Sequence, residues 1–89
     1  MIERALKIQN KLGLHARAAA LFVQTANKYA SHITIEKEGV EVNGKSIMGI
    51  MMLAAAKGND VVVRTNGEDE LEAADTIERL VADKFYEEA

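Results

Sequence analysis

Eighty-nine residues, 48% hydrophobic and 28% charged, are enough for one modest core and leave no room for a second, so residues 1–89 read as a single folded domain. A net charge of −3 argues against nucleic acid or anionic lipid as partners, and the lack of cysteine excludes a disulfide framework and a thiolate metal site. No apolar run approaches the roughly 18 residues of a membrane span, and Met1-Ile2-Glu3-Arg4 does not read as a leader, so a cytoplasmic protein without membrane insertion is expected.

Ile2 to Ile8 places apolar residues at Ile2, Leu6 and Ile8, which predicts a strand, with Arg4 interrupting the alternation. Gln9-Asn10-Lys11 is polar. Leu12-Gly13-Leu14 reads as a loop whose glycine can take the positive φ of a sharp turn and whose Leu12 or Leu14 anchors it in the core. Good helix formers then run from Ala16 to about Lys28, with no glycine before Gly39. Ala19, Phe22, Val23, Ala26 and Ala30 share one helical stripe. Leu21 lies off it, either as a singly exposed residue or as part of a partner-binding face.

His32 to Glu36 alternates with Ile33 and Ile35 on one side and a solvated His32 on the other. Val40-Glu41-Val42 does the same after a turn at Glu38-Gly39. Asn43-Gly44-Lys45 is a turn. Ser46 is a favoured N-cap for a short helix over Ile47–Leu53, weakened by Gly49 by about 1 kcal/mol relative to alanine. That helix is apolar nearly all round, which predicts that some of Ile47, Met48 and Met51 are exposed. Ala54 to Gly58 connects to a central, valine-rich strand over Val61–Thr65, closed by Gly67. Asp69 with Glu72 reads as a capping-box variant, and Leu71, Ala74, Ile77, Val81 and Phe85 are predicted to line the inner face of the last helix. The tail Glu87-Glu88-Ala89 is expected to fray.

The chemistry concentrates at Gly13-Leu14-His15-Ala16-Arg17. His15 stands at the threshold of a helix, beside the free N–H groups of its first turn and the positive end of its dipole, where anions bind. Arg17 adds a planar cation suited to phosphate oxygens. A nucleophilic imidazole beside an anion cradle formed by the Ala16 and Arg17 backbone is the layout for holding a phosphoryl group. The plainer alternative is a histidine serving as a poor helix cap with Arg17 as a solvated charge.

Gly13-Leu14-His15-Ala16-Arg17, with Gly44-Lys45-Ser46-Ile47-Met48-Gly49 at this distance, resembles the histidine-containing phosphocarrier (HPr) family of the bacterial phosphoenolpyruvate-dependent phosphotransferase system. The resemblance extends over the whole chain in length and element order. It implies an α+β open-faced β-sandwich of order βαββαβα, with a four-stranded antiparallel sheet and helices on one face. It also implies that His15 accepts a phosphoryl group on Nδ1 from enzyme I, assisted by Arg17, and passes it to an EIIA-type acceptor. In the Ser46 position many members carry a regulatory phosphorylation site, served by an HPr kinase/phosphorylase, and the helix from Ile47 joins the first helix in a partner-binding face that includes Met48 and Met51. The protein is expected to act as a monomeric carrier rather than an enzyme, with no cofactor and no metal. One departure stands out: the family usually has proline after the arginine, and here Ala18 occupies that place.

Three rival functions stand beside this one. A mainly regulatory protein would work through Ser46, with the relay secondary. An acylphosphatase-like enzyme would share the size but lacks its arginine-plus-asparagine loop signature here. A small RNA-binding domain is disfavoured by the acidic charge and by strands without aromatic residues.

Overall fold

The computed structural model describes residues 1–87. Period-two alternation produces β1 (Ile2–Lys7), β2 (His32–Lys37), β3 (Val40–Asn43) and β4 (Asp60–Asn66), which pair antiparallel in the order β1-β4-β2-β3. The valine-rich β4 is interior, with Val63 opposite Arg4 on one side and Ile35 on the other. One face of this sheet carries the helices α1 (Ala16–Ala26), α2 (Ile47–Met52) and α3 (Glu70–Ala82), and a short turn (Lys84–Tyr86) follows α3. The architecture is the open-faced βαββαβα sandwich that the resemblance implied.

The core lies between sheet and helices: Phe22 and Val23 from α1, Ile33 and Ile35 from β2, Ile50 from α2, Val61 and Val63 from β4, and Ile77 and Leu80 from α3. Burying each such large side chain contributes about 1.5–3 kcal/mol before the entropy of ordering it. Arg4, which interrupted the apolar pattern, keeps the β1 alternation intact. It occupies a helix-side position at the sheet edge and donates to Glu78 (2.5 Å) and Asp75 (3.0 Å) of α3, tying strand to helix. On the open face Arg64 donates to Glu3 (2.6 Å), Glu36 (2.5 Å) and Glu41 (2.9 Å), linking all four strands; these bonds hold its guanidinium further toward the charged form.

Several expectations are corrected. The first helix ends at Ala26 with Asn27 as its C-cap, so Ala30 lies beyond it and is exposed, whereas Leu21 is partly buried against the core. Leu71 is 57% exposed, and the inner face of α3 is completed by Ala73 and Leu80 instead. Leu71 lies about 120° round the helix, at roughly 100° per residue, from the centre of the stripe formed by Ala73, Ala74, Ile77, Leu80 and Val81, so helical phase turns it to solvent. The Asp69 capping box does not form. The Asp69 carboxylate turns back to accept from Ala30 N–H (2.9 Å), Ser31 N–H (3.0 Å) and Ser31 Oγ, because the buried Ser31 needs a partner that water cannot supply. The Ser31 hydroxyl, and then the Ala30 amide, hold that carboxyl below its ordinary range. The Gly67 N–H is taken by Glu70 Oε1 at 3.1 Å.

Candidate functional site

The site is built on the turn that delivers the chain into α1. Gly13 has φ +64, and a Cβ there would stand 2.4 Å from the Ala55 carbonyl oxygen and 2.9 Å from the Ala56 Cα, so only glycine permits this close passage. Leu14 N–H donates to the Ala55 carbonyl at 2.9 Å, and the buried Leu14 side chain supplies the anchor while Leu12 faces solvent. Asn10, fully buried, braces the turn from inside: its carbonyl accepts from Gly13 N–H (3.1 Å) and its side-chain Nδ2 donates to the Gly13 carbonyl (2.7 Å).

His15 follows as the N-cap of α1, with extended backbone (φ −72, ψ 177) and no side-chain capping bond. The first bond of the helical ladder runs from Ala19 N–H to the His15 carbonyl at 2.8 Å, so the N–H groups of Ala16, Arg17 and Ala18 precede the ladder. The imidazole, carried by the residue that precedes those donors, is 28% exposed. Arg17 is exposed and makes no hydrogen bond among the described residues, while Ala18 is fully buried against the core.

The sequence reading missed Glu87. Its carboxylate bridges two residues, with Oε2 accepting from His15 Nε2–H and Oε1 accepting from Asn10 Nδ2 at 3.1 Å. The bond from His15, then that from Asn10, and the nearby Arg17 cation hold this carboxyl below its usual range against the opposing effect of burial. An ionised carboxylate can only accept, so Nε2 is the donor in this contact, and in the neutral form of the ring the lone pair then lies on Nδ1. Glu87 is therefore held rather than frayed; Glu88 and Ala89 lie outside the described residues. It is brought there by an unusual turn, in which Lys84, Phe85 and Tyr86 all have left-handed φ (55, 54 and 63) around a buried Phe85. Such conformations cost L-residues about 1–2 kcal/mol each. No local pattern could reveal the contact, since residues 15 and 87 are joined only by the fold.

Ser46 lies at the start of α2. Its side chain accepts from Gly49 N–H at 3.1 Å, and its carbonyl accepts from Ile50 N–H at 3.0 Å. Gly49 now has a positive role: a Cβ there would stand 3.2 Å from Ser46 Oγ, so glycine gives the cap room to close. α2 packs on α1 and β3 through Ile50, leaving Ile47, Met48 (76% exposed) and Met51 on the outside together with Met52, which the sequence reading did not single out. Among the described residues no cluster of three His, Cys, Asp or Glu side chains is disposed to hold a metal ion, and no helix is long and apolar enough to cross a membrane.

Residues 2–83 match the family described as "PTS HPr component phosphorylation site". The phosphocarrier protein HPr of Xylella fastidiosa (strain Temecula1) is 49% identical over 88 residues, covering 99% of both chains. The crystal structure of HPr-C-His from Thermoanaerobacter tengcongensis superposes with a TM-score of 0.96 at 52% identity, covering all of both chains. Crh, described as the Bacillus subtilis catabolite repression HPr, superposes with a TM-score of 0.65 at 42% identity, covering 90% of this chain and 95% of its own.

Proposed function

Because the chain belongs to the HPr family of phosphocarrier proteins of the phosphotransferase system, we propose that it carries a phosphoryl group on His15, taking it from phospho-enzyme I and giving it to a histidine or cysteine of an EIIA-type acceptor. The observation that supports this reading is the His15 ring itself. It is partly exposed, donates from Nε2 to Glu87 and makes no other side-chain hydrogen bond among the described residues, and it caps a helix whose first N–H groups have no ladder partners. Nδ1 attacks phosphorus as the donor's bond to phosphorus breaks and its electron pair returns to the donor. The backbone N–H groups of Ala16 and Arg17, with the Arg17 guanidinium, then meet the charge of the bound phosphoryl group. A phosphoramidate on imidazole is reactive enough to be passed on, whereas a serine ester would end the relay.

Docking is assigned to the outer face of α2 and the adjoining α1, where Ile47, Met48 and Met51 offer adaptable apolar contact. Ser46 is assigned as a regulatory phosphorylation site for an HPr kinase/phosphorylase at the rim of that face. The likeness to Crh favours a second reading, in which modification of Ser46 controls a partner and the relay is secondary. The carrier is taken to work as a monomer in the cytoplasm. Incubation with phosphoenolpyruvate and enzyme I should label the wild-type protein and leave a folded His15→Ala variant unlabelled. Full labelling of that variant would refute the assignment. Ser46 modification without any His15 labelling would favour the regulatory reading.

A further inference from the structure

We propose that Lys37 is a positioning residue for phosphoryl transfer, clamping the C-terminal end of α2 and the strap that joins this helix to the His15 turn. The inference rests on the relay and docking reading and adds to it a side chain from the sheet. Period-two alternation puts Lys37 on the helix side of β2, next in line after the buried Ile33 and Ile35, where another apolar residue would complete the pattern. The residue is half-buried there, and its ammonium donates to the Leu53 carbonyl at 3.1 Å and the Ala54 carbonyl at 3.3 Å. The short helix needs such a donor. It is six residues long, contains Gly49, ends at Leu53 as its C-cap and has no basic residue in its own last turn. Among the described residues no backbone N–H reaches the Leu53 and Ala54 carbonyls. Lys37 thus supplies both the missing donor and the cation that the C-terminal end of a helix dipole favours.

The clamp sits at a joint. On one side, Met51 and Met52 stand exposed on the last turn of α2, so their presentation to a partner depends on that turn staying wound. On the other side, Ala54 turns the chain with a left-handed φ of +50, which an L-residue adopts only under constraint. The next carbonyl, that of Ala55, accepts from Leu14 N–H at 2.9 Å, so the strap from Leu53 to Ala55 runs from the docking helix to the residue before His15. Releasing Lys37 loosens the helix end first, because Leu14 N–H still holds the far end of the strap. The loss therefore falls on the apparent affinity of enzyme I for this protein and leaves the chemical step at His15 in place.

The test uses the full chain in four forms: wild type, Lys37→Met, Lys37→Arg and Arg4→Met. Methionine keeps an unbranched stem without donors or charge, and arginine restores both. Arg4→Met breaks the other tie between strand and helix, which runs to α3 rather than α2, and so controls for general loosening. Amide hydrogen exchange by NMR reports opening at Leu53 and Ala54, whose N–H groups donate to the Ile50 and Met51 carbonyls. Steady-state labelling by enzyme I, at a temperature where circular dichroism shows all four proteins folded, gives KM and kcat separately. Lys37→Met should speed exchange at those two amides about tenfold and raise KM about fivefold, with kcat within about twofold of wild type. Lys37→Arg should recover most of both losses, and Arg4→Met should produce neither. Unchanged exchange or KM in Lys37→Met, no recovery with arginine, or an equal rise in KM for Arg4→Met overturns the proposal. Failure of the wild type to label would instead refute the relay, and exchange at the end of α2 would still decide whether Lys37 clamps it.

Discussion

Replacing Ser46 separates helix capping from docking, because the structure gives the residue one clear local bond and a place beside the exposed α2 face. Ser46→Ala removes the acceptor for Gly49 N–H, a 3.1 Å bond at a half-buried position. Loss of such a cap costs about 0.5–2 kcal/mol. In a domain of 89 residues a change of 1 kcal/mol lowers Tm by about 4–8 °C, so a fall of several degrees is expected with His15 labelling nearly intact. Ser46→Asp keeps an acceptor for the same N–H and places negative charge at the N-terminal end of α2, so Tm should hold or rise slightly. The same charge sits next to Ile47 and Met48, where it raises the desolvation cost of apolar contact and repels acidic groups of a partner. Transfer from enzyme I should therefore slow, and a phosphate of about −1.5 to −2 charges should slow it more. Thermal unfolding by circular dichroism and timed labelling of both variants supply the comparison. A Ser46→Ala protein melting within about 1 °C of wild type would refute the capping argument, and a Ser46→Asp protein labelled at the wild-type rate would place the docking face elsewhere.

Arg17 is exposed and makes no hydrogen bond among the described residues, so Arg17→Ala should slow transfer markedly with little change in Tm, and Arg17→Lys should recover only part because it lacks the planar fork; unchanged labelling kinetics would show that backbone N–H groups suffice. Ala18 lies ahead of the first helical bond, so Ala18→Pro sacrifices none of the ladder and should raise stability by about 0.4–1 kcal/mol in denaturant titration; a lower midpoint would mean that the fully buried site cannot take the ring. Asp69, whose carboxyl is held low by Ser31 and Ala30, contributes stability that is complete above the unfolded carboxylate pKa of about 4 and is lost as pH falls through the lower folded value. Asp69→Asn should therefore lower Tm at neutral pH and flatten its decline in acid, and an unaltered acid profile would show that other carboxylates govern it.

Much of this molecule is legible locally. Strands with alternating Ile and Val, the glycine at the head of the active turn and the serine before Ile47 each carry a short-range physical rule, and each appears where that rule places it. What was not legible depends on groups distant in the chain or on backbone geometry that exists only once the chain is folded. Arg4 looks like a break in a strand until Asp75 and Glu78 of α3 stand beside it. Asp69 satisfies capping rules, yet a buried Ser31 nearly forty residues away in sequence claims its carboxylate. Gly49 reads as a weak point in a helix, but the clearance it gives Ser46 Oγ becomes visible only with the cap closed. Glu87 reads as frayed tail because the left-handed turn that carries it to His15 uses lysine, phenylalanine and tyrosine, none of which announces positive φ.

The most direct measurement of the central claim is the identity of the atom that receives phosphate. Phosphorylation of ring-labelled protein by enzyme I and phosphoenolpyruvate, followed by nitrogen–phosphorus coupling in NMR, should place one acid-labile phosphoryl group on Nδ1 of His15, with Nε2 still protonated. Phosphate on Nε2, on another residue, or on no residue at all would contradict it.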